Sequence, residues 1–198
     1  MKLNTLIFLM ILICACNSDG MKNTDKQITV ILQPFSDFPK EKLVIISNEL
    51  RLIFPKIQIN APITLPATAY NTERNRYRAD TIIAYLAKNT ESGKVTIGLT
   101  TKDISTTKGE YKDWGVMGLG YRPGKACIVS SFRVSKHNSS QFYKVCIHEL
   151  AHTSGLDHCP QKTCFMRDAE GGNPLDEETE FCPSCHKYLV KKGWPLSK

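Results

Sequence analysis

The chain has 198 residues, 41% hydrophobic and 23% charged, with a formal net charge of +7. This is ordinary globular composition, enough for one domain with a buried core, and it excludes repeat arrays and low-complexity chains. The basic residues are scattered and no run of them interleaves with aromatics, so nucleic acid is not an expected partner.

In chain order, Lys2 precedes an apolar run from Leu6 to Cys16. The run is too short to span a bilayer comfortably and has the form of a signal-peptide core. Ile13-Cys14-Ala15-Cys16 resembles the end of a bacterial lipoprotein signal, which makes Cys16 the expected lipidated residue and new N-terminus. Residues 1–15 are then the signal, 16–26 a polar tether and 27–198 a single domain. The lipid would make the membrane a partner and would set the protein on the periplasmic face or surface of a bacterial cell. Ordinary secretory cleavage and an uncleaved N-terminal anchor are the alternatives.

Gln27 to Leu32 alternates and is β-branched, predicting a strand ended by Pro34. A helix follows from near Pro39, with Leu43, Ile46, Leu50 and Ile53 forming its apolar stripe. Lys56 to Asn60 predicts a second strand and Pro62 to Ala69 a loop. Thr72 to Lys88 predicts a second helix with Arg76, Arg78 and Asp80 facing water. After a turn at 89–93, Lys94 to Thr100 predicts a third strand. Strand, helix, strand, helix, strand suggests a mixed sheet with covering helices. Trp114 to Gly120 suits an edge strand, although Gly118 and Gly120 are also ordinary turn or bulge signals. Ala126 to Val134 is the next strand. Asn138, Ser139 or Ser140 would cap a helix that turns Phe142, Val145, Cys146 and Leu150 towards the core. His186 to Lys192 predicts a short terminal helix stopped by Gly193, with His186 on the surface.

That penultimate helix carries the chemistry. His148 to Cys159 reads H-E-x-x-H-x-x-G-x-x-H-C and gathers three of the five histidines. Residues four apart on a helix lie about 40° apart around its axis, so His148 and His152 can address one ion. Glu149 sits about 100° around from His148, off the metal and within reach of its water, as a general base must. Gly155 permits the left-handed turn that brings His158 back as third ligand. Three nitrogens leave a fourth position open, the mark of a catalytic zinc site. Iron, cobalt and nickel also suit three imidazoles. Downstream, Cys159-x4-Cys164 and Cys182-x-x-Cys185 have the spacing of a closed four-thiolate zinc site that would brace His158. Two disulfides are the alternative, because exported chains usually oxidise their cysteines. Cys127 and Cys146 read as buried thiols, with a bridge between them unsupported.

Taken together, His148 to Cys159, Cys164-Phe165-Met166 and Cys182-x-x-Cys185 resemble the archaemetzincin family of zinc metallopeptidases. The resemblance is firm over Gly118 to Leu189. Ala151 stands where relatives usually have Gly, and the interval from Met166 to Cys182 is slightly short; neither change removes a ligand. The resemblance implies an α/β (α+β) metzincin-like zincin fold: a twisted mixed sheet, an active-site helix and a C-terminal subdomain braced by four cysteines. It implies a catalytic zinc on His148, His152 and His158, a second zinc on Cys159, Cys164, Cys182 and Cys185, and Glu149 as base. Met166 would be the methionine of the turn under the metal; its plain reading is one more core methionine. A metzincin edge strand binds peptide in extended form, and the expected partner is a peptide or protein cleaved by a monomer. The rival reading is a non-catalytic zinc-binding surface lipoprotein that keeps the fold. A narrower variant cleaves a non-peptide amide.

Overall fold

A computed structural model describes residues 27–135 and 139–196. The expected signal and tether, with Cys16, and the candidate cap Asn138 lie outside the described residues. In order, the elements are β1 (Thr29–Pro34), α1 (Lys40–Arg51), β2 (Ile57–Ile59), β3 (Tyr70–Asn71), β4 (Arg76–Arg78), α2 (Ala79–Lys88), β5 (Lys94–Thr100), β6 (Ile104–Lys108), β7 (Tyr111–Val116), β8 (Gly118–Gly120), β9 (Ala126–Ser130), α3 (Ser139–Thr153) and α4 (Pro183–Lys191).

The main sheet has the order β2-β1-β5-β9-β8. Its first four strands are parallel, and β8 runs antiparallel to β9 at the edge. Parallel neighbours need crossover connections: α1 lies in that from β1 to β2, α2 in that from β2 to β5, and β6 to β8 in that from β5 to β9. Side chains alternate faces along each strand, so one strand feeds two cores. Cys127 and Val129 of β9, with Ile97 and Leu99 of β5, pack into a core shared with Ile46 and Leu50 of α1 and Val145 and Ile147 of α3. Ala126 and Ile128 face the other way, against Ile82, Ile83 and Leu86 of α2. Both strands are therefore buried on two faces, as parallel sheets are. At Gly98 a Cβ would lie 2.8 Å from both Ile128 Cδ1 and Leu86 Cδ1, so glycine is what lets α2 lie close to the sheet.

The expected strand-helix alternation is present, with four departures. The second helix begins at Ala79, not Thr72. Residues 70–78 form β3, a turn with Asn75 at φ 50° and β4, which joins a second sheet of order β3-β4-β6-β7. Arg76 and Arg78 do not face water. Arg76 pairs with Asp103 and Asp113, and Arg78 with Asp113 and Asp80. Those ion pairs and the β6 backbone offer more than continued helix would. Secondly, residues 104–116 form a β6–β7 hairpin, for which Ile104-Ser-Thr-Thr followed by Gly109 at φ 57° is the strand-and-turn signal. Thirdly, the edge segment breaks at Met117: Trp114 and Val116 belong to β7, and only Gly118–Gly120 edge the main sheet. Finally, β9 stops at Ser130, and α4 starts at Pro183, so it includes Cys185.

Candidate active site

Helix α3 buries Phe142, Val145, Cys146 and Leu150, as its pattern requires. It ends in a Schellman turn: Gly155, at φ 89°, donates to the His152 carbonyl (2.8 Å) and Leu156 to that of Ala151 (3.3 Å). The reversal carries His158 back beside the helix. One nitrogen from each of His148, His152 and His158 lies within 4.8 Å of the others.

The second ring nitrogens explain the aim. His148 Nδ1 donates to the Phe165 carbonyl at 2.6 Å, and His152 Nδ1 to that of Leu156 at 2.7 Å. His158 Nδ1 lies 3.4 Å from Asp168 Oδ2. The two carbonyls fix the tautomers of His148 and His152 and leave each Nε2 as a bare lone pair. The Nε2 atoms of His152 and His158 face each other at 3.2 Å. At that distance the His152 lone pair meets either the proton of a His158 Nε2–H or a cation held between the rings. Tetrahedral zinc with bonds of about 2.0–2.1 Å would separate its nitrogens by about 3.3 Å, so the donor set fits zinc. Burial is the main cause holding His148 down to about 3 and His152 down to about 4, and it also lowers His158. The first two imidazoles are thus neutral at pH 7, with no proton for a metal to displace.

Glu149 projects towards β8, not into the ligand set. Burial raises its carboxyl to about 8, against a hydrogen bond from the Gly120 amide. A dication nearby would favour the ionised form. The glycines of β8 make room for it. A Cβ at Gly118 would stand 2.5 Å from Glu149 Cγ and 2.6 Å from its Oε1, and one at Gly120 would meet the Glu149 carbonyl oxygen at 2.7 Å. Glycine at 118 and 120 is therefore required by close approach to α3, which is more than a turn signal.

All four late cysteines converge and are free thiols, with their sulfurs within 4.8 Å of one another. Cys159 Sγ and Cys182 Sγ are 3.7 Å apart, close to the edge of about 3.8 Å expected for zinc tetrahedrally bonded at about 2.3 Å. The amides of Met166 and Cys182 both point at Cys164 Sγ, at 3.5 and 3.4 Å. Burial raises Cys182, but hydrogen bonds from Cys185 and Cys159 outweigh it and bring the thiol down to about 6. Cys182 is thus the thiol of the set that most readily gives up its proton, whereas burial raises Cys164 and Cys185. Cys127 and Cys146 are buried free thiols, and burial pushes both well up. Met166 is fully buried, and its carbonyl accepts from the Cys159 amide at 2.8 Å. The segment Phe165-Met166 thus touches both clusters.

The imidazoles and Glu149 line a cleft of about 830 Å³, bounded by β8, the β6–β7 hairpin and residues 167–178. Sequence reading missed Asp168 and Glu178 on its wall and the carbonyls of Phe165 and Leu156. An isolated acid has no spacing signature, and a carbonyl has no residue type at all.

The family described as Peptidase family M54 matches residues 20–191. The chain is similar to the archaemetzincin of Haloarcula marismortui, at 30% identity over 73% of this chain and 89% of that protein. It is also 30% identical to the archaemetzincin of Halobacterium salinarum, over 81% and 98%. Among solved structures it superposes on the Archaeoglobus fulgidus archaemetzincin complexed with malonate, at TM-score 0.68 and 26% identity over 81% of this chain and 99% of that one. The Methanopyrus kandleri archaemetzincin gives TM-score 0.73 at 23% identity, over 87% and 98%, and bears on the fold alone.

Proposed function

The chain belongs to peptidase family M54, the archaemetzincins, and is a zinc metallopeptidase; from that premise we propose that Glu149 is its general base and that His148, His152 and His158 hold the catalytic zinc. The observation that carries this reading is the convergence of one nitrogen from each of three imidazoles, two of them with a bare Nε2, beside a buried glutamate carboxyl. Zinc there would supply Lewis acidity, lowering the pKa of water to about 7 and polarising the scissile carbonyl. Glu149 would accept the proton of the attacking water on a carboxylate oxygen and hand it to the departing amine nitrogen. The Gly120 amide would hold that carboxylate in place. An extended peptide would lie along β8, whose outer edge is unpaired among the described residues, and bond main chain to main chain.

A second zinc on Cys159, Cys164, Cys182 and Cys185 would brace His158, giving two ions per chain, and Met166 would underlie the catalytic one. The enzyme is proposed to act as a monomer held outside the cytoplasm by lipid on Cys16, which rests on the apolar run before that residue. The test is Glu149→Gln, scored on a mixed peptide pool by mass spectrometry. We expect unchanged zinc content and cleavage reduced at least about a hundredfold; unaltered turnover would reject the assignment.

A further inference from the structure

Among the acids lining the cleft, Glu178 stands apart. The residue is 2% exposed, and its Oε2 has no hydrogen-bond partner among the described residues. Asp168, by contrast, has 43% of its side chain exposed at the rim. Two cations lie near Glu178, and both are engaged elsewhere. Lys144 Nζ donates to the main-chain oxygens of Leu175 and Glu178 itself, at 2.6 Å each. Arg167 Nη1 pairs with Glu177 Oε2 at 2.7 Å. Burial consequently outweighs their attraction and lifts the Glu178 carboxyl to about 7. A buried acid with no partner costs stability, and one on a cleft wall offers a ligand an unsatisfied acceptor.

Its position says which ligand. Val145 lies three residues before His148, one turn away on the same helix face. Lys144, four residues before His148, holds the Leu175 and Glu178 carbonyls to this helix, and Val145 and Leu175 both line the cleft. We infer that Glu178 is the acidic floor of a subsite next to His148, which takes the cationic side chain of a lysine or arginine flanking the bond to be cut. The aliphatic stem would lie against Val145 and Leu175 and the cationic head would reach Oε2, the usual division of a long basic side chain. A neutral side chain of equal length would leave the acid unpaired, and that difference is what discriminates.

The inference rests on the peptidase reading, but binding tests it apart from turnover. Peptides carrying lysine or norleucine at each position in turn would be titrated by fluorescence anisotropy against full-length, zinc-loaded Glu149→Gln protein. At one position lysine should bind at least about tenfold tighter than norleucine, and Glu178→Gln should bring the ratio close to one. Glu178→Asp, which keeps the charge but shortens its reach, should give an intermediate ratio. Equal binding at every position in the Glu178 protein overturns the inference, with no second substitution required. A lysine preference that survives both Glu178 variants overturns it as well. Cleavage of a mixed pool by the unsubstituted protein reads the peptidase function separately. No cleavage alongside an intact lysine preference would remove that function and leave the subsite standing.

Discussion

Gly118→Ala isolates the link between β8 and Glu149, the proposed base. Gly118 has no positive φ, so alanine suits its backbone, and the register with Val129 is unaffected. The whole cost falls on Glu149. The new methyl would sit 2.5 Å from its Cγ, 2.6 Å from Oε1 and 2.8 Å from Cδ. A normal carbon–carbon contact is about 3.5 Å, so the Glu149 side chain must move by roughly 1 Å. A displacement of about 1 Å in a catalytic group is worth about a hundredfold in rate. We expect kcat/KM to fall by about that factor, with zinc content and melting temperature near those of the parent. The assay is initial-rate cleavage of one peptide, with metal analysis of the same sample. Activity within about threefold of the parent, with zinc bound, would refute the idea that β8 positions the base. Gly120→Ala is the contrast: its methyl meets the Glu149 main-chain oxygen at 2.7 Å, so it should lower the melting temperature as well as the rate.

Asp168→Asn removes the carboxylate beside His158 Nδ1 and should weaken zinc binding at the imidazole site by about 10–100-fold, read by competition with a chromogenic chelator. Cys182→Ser should reduce bound zinc from two ions per chain to one or fewer and lower the melting temperature; two ions retained would discount the thiolate site. Glu178 titrates near 7 in the folded chain and at the ordinary 4.5 when unfolded. The folded state therefore holds the extra proton between those values, and stability is lost as pH rises through 7. Glu178→Gln escapes that loss, so its urea midpoint should gain on the parent between pH 5 and pH 8; a pH-independent gap would place the carboxyl in an ordinary environment.

Helix α3 and its candidate site were legible because the pattern is local: His148, Glu149, His152, Gly155 and His158 declare themselves by spacing within eleven residues. The cysteines were legible for the same reason, and the structure brings both clusters together as expected. The parallel strands β1, β5 and β9 were legible as short segments rich in β-branched residues. The second sheet did not. Arg76 and Arg78 look like the wet side of a helix until Asp103 and Asp113, more than twenty residues away, are brought beside them. Ser105 reinforces that arrangement, donating to Asp113. Burial raises Asp113, but that bond and the charges of Arg76 and Arg74 hold its carboxyl below the usual range. Pairing over such distances leaves no period in the chain. Glu178 was hidden differently, since an acid two residues from Glu180 and Asp176 looks like solvated surface until its exposure is known.

Two of the three imidazoles take their orientation from the main chain at Leu156 and Phe165. Any residue at those positions offers the same oxygen, so the bearing of the rings is insulated from side-chain drift there. What the lineage must preserve is the course of the polypeptide after the helix, the reversal at Gly155 and the span back to Met166. Insertions and deletions in that stretch, far more than point changes, are where the chemistry is fragile.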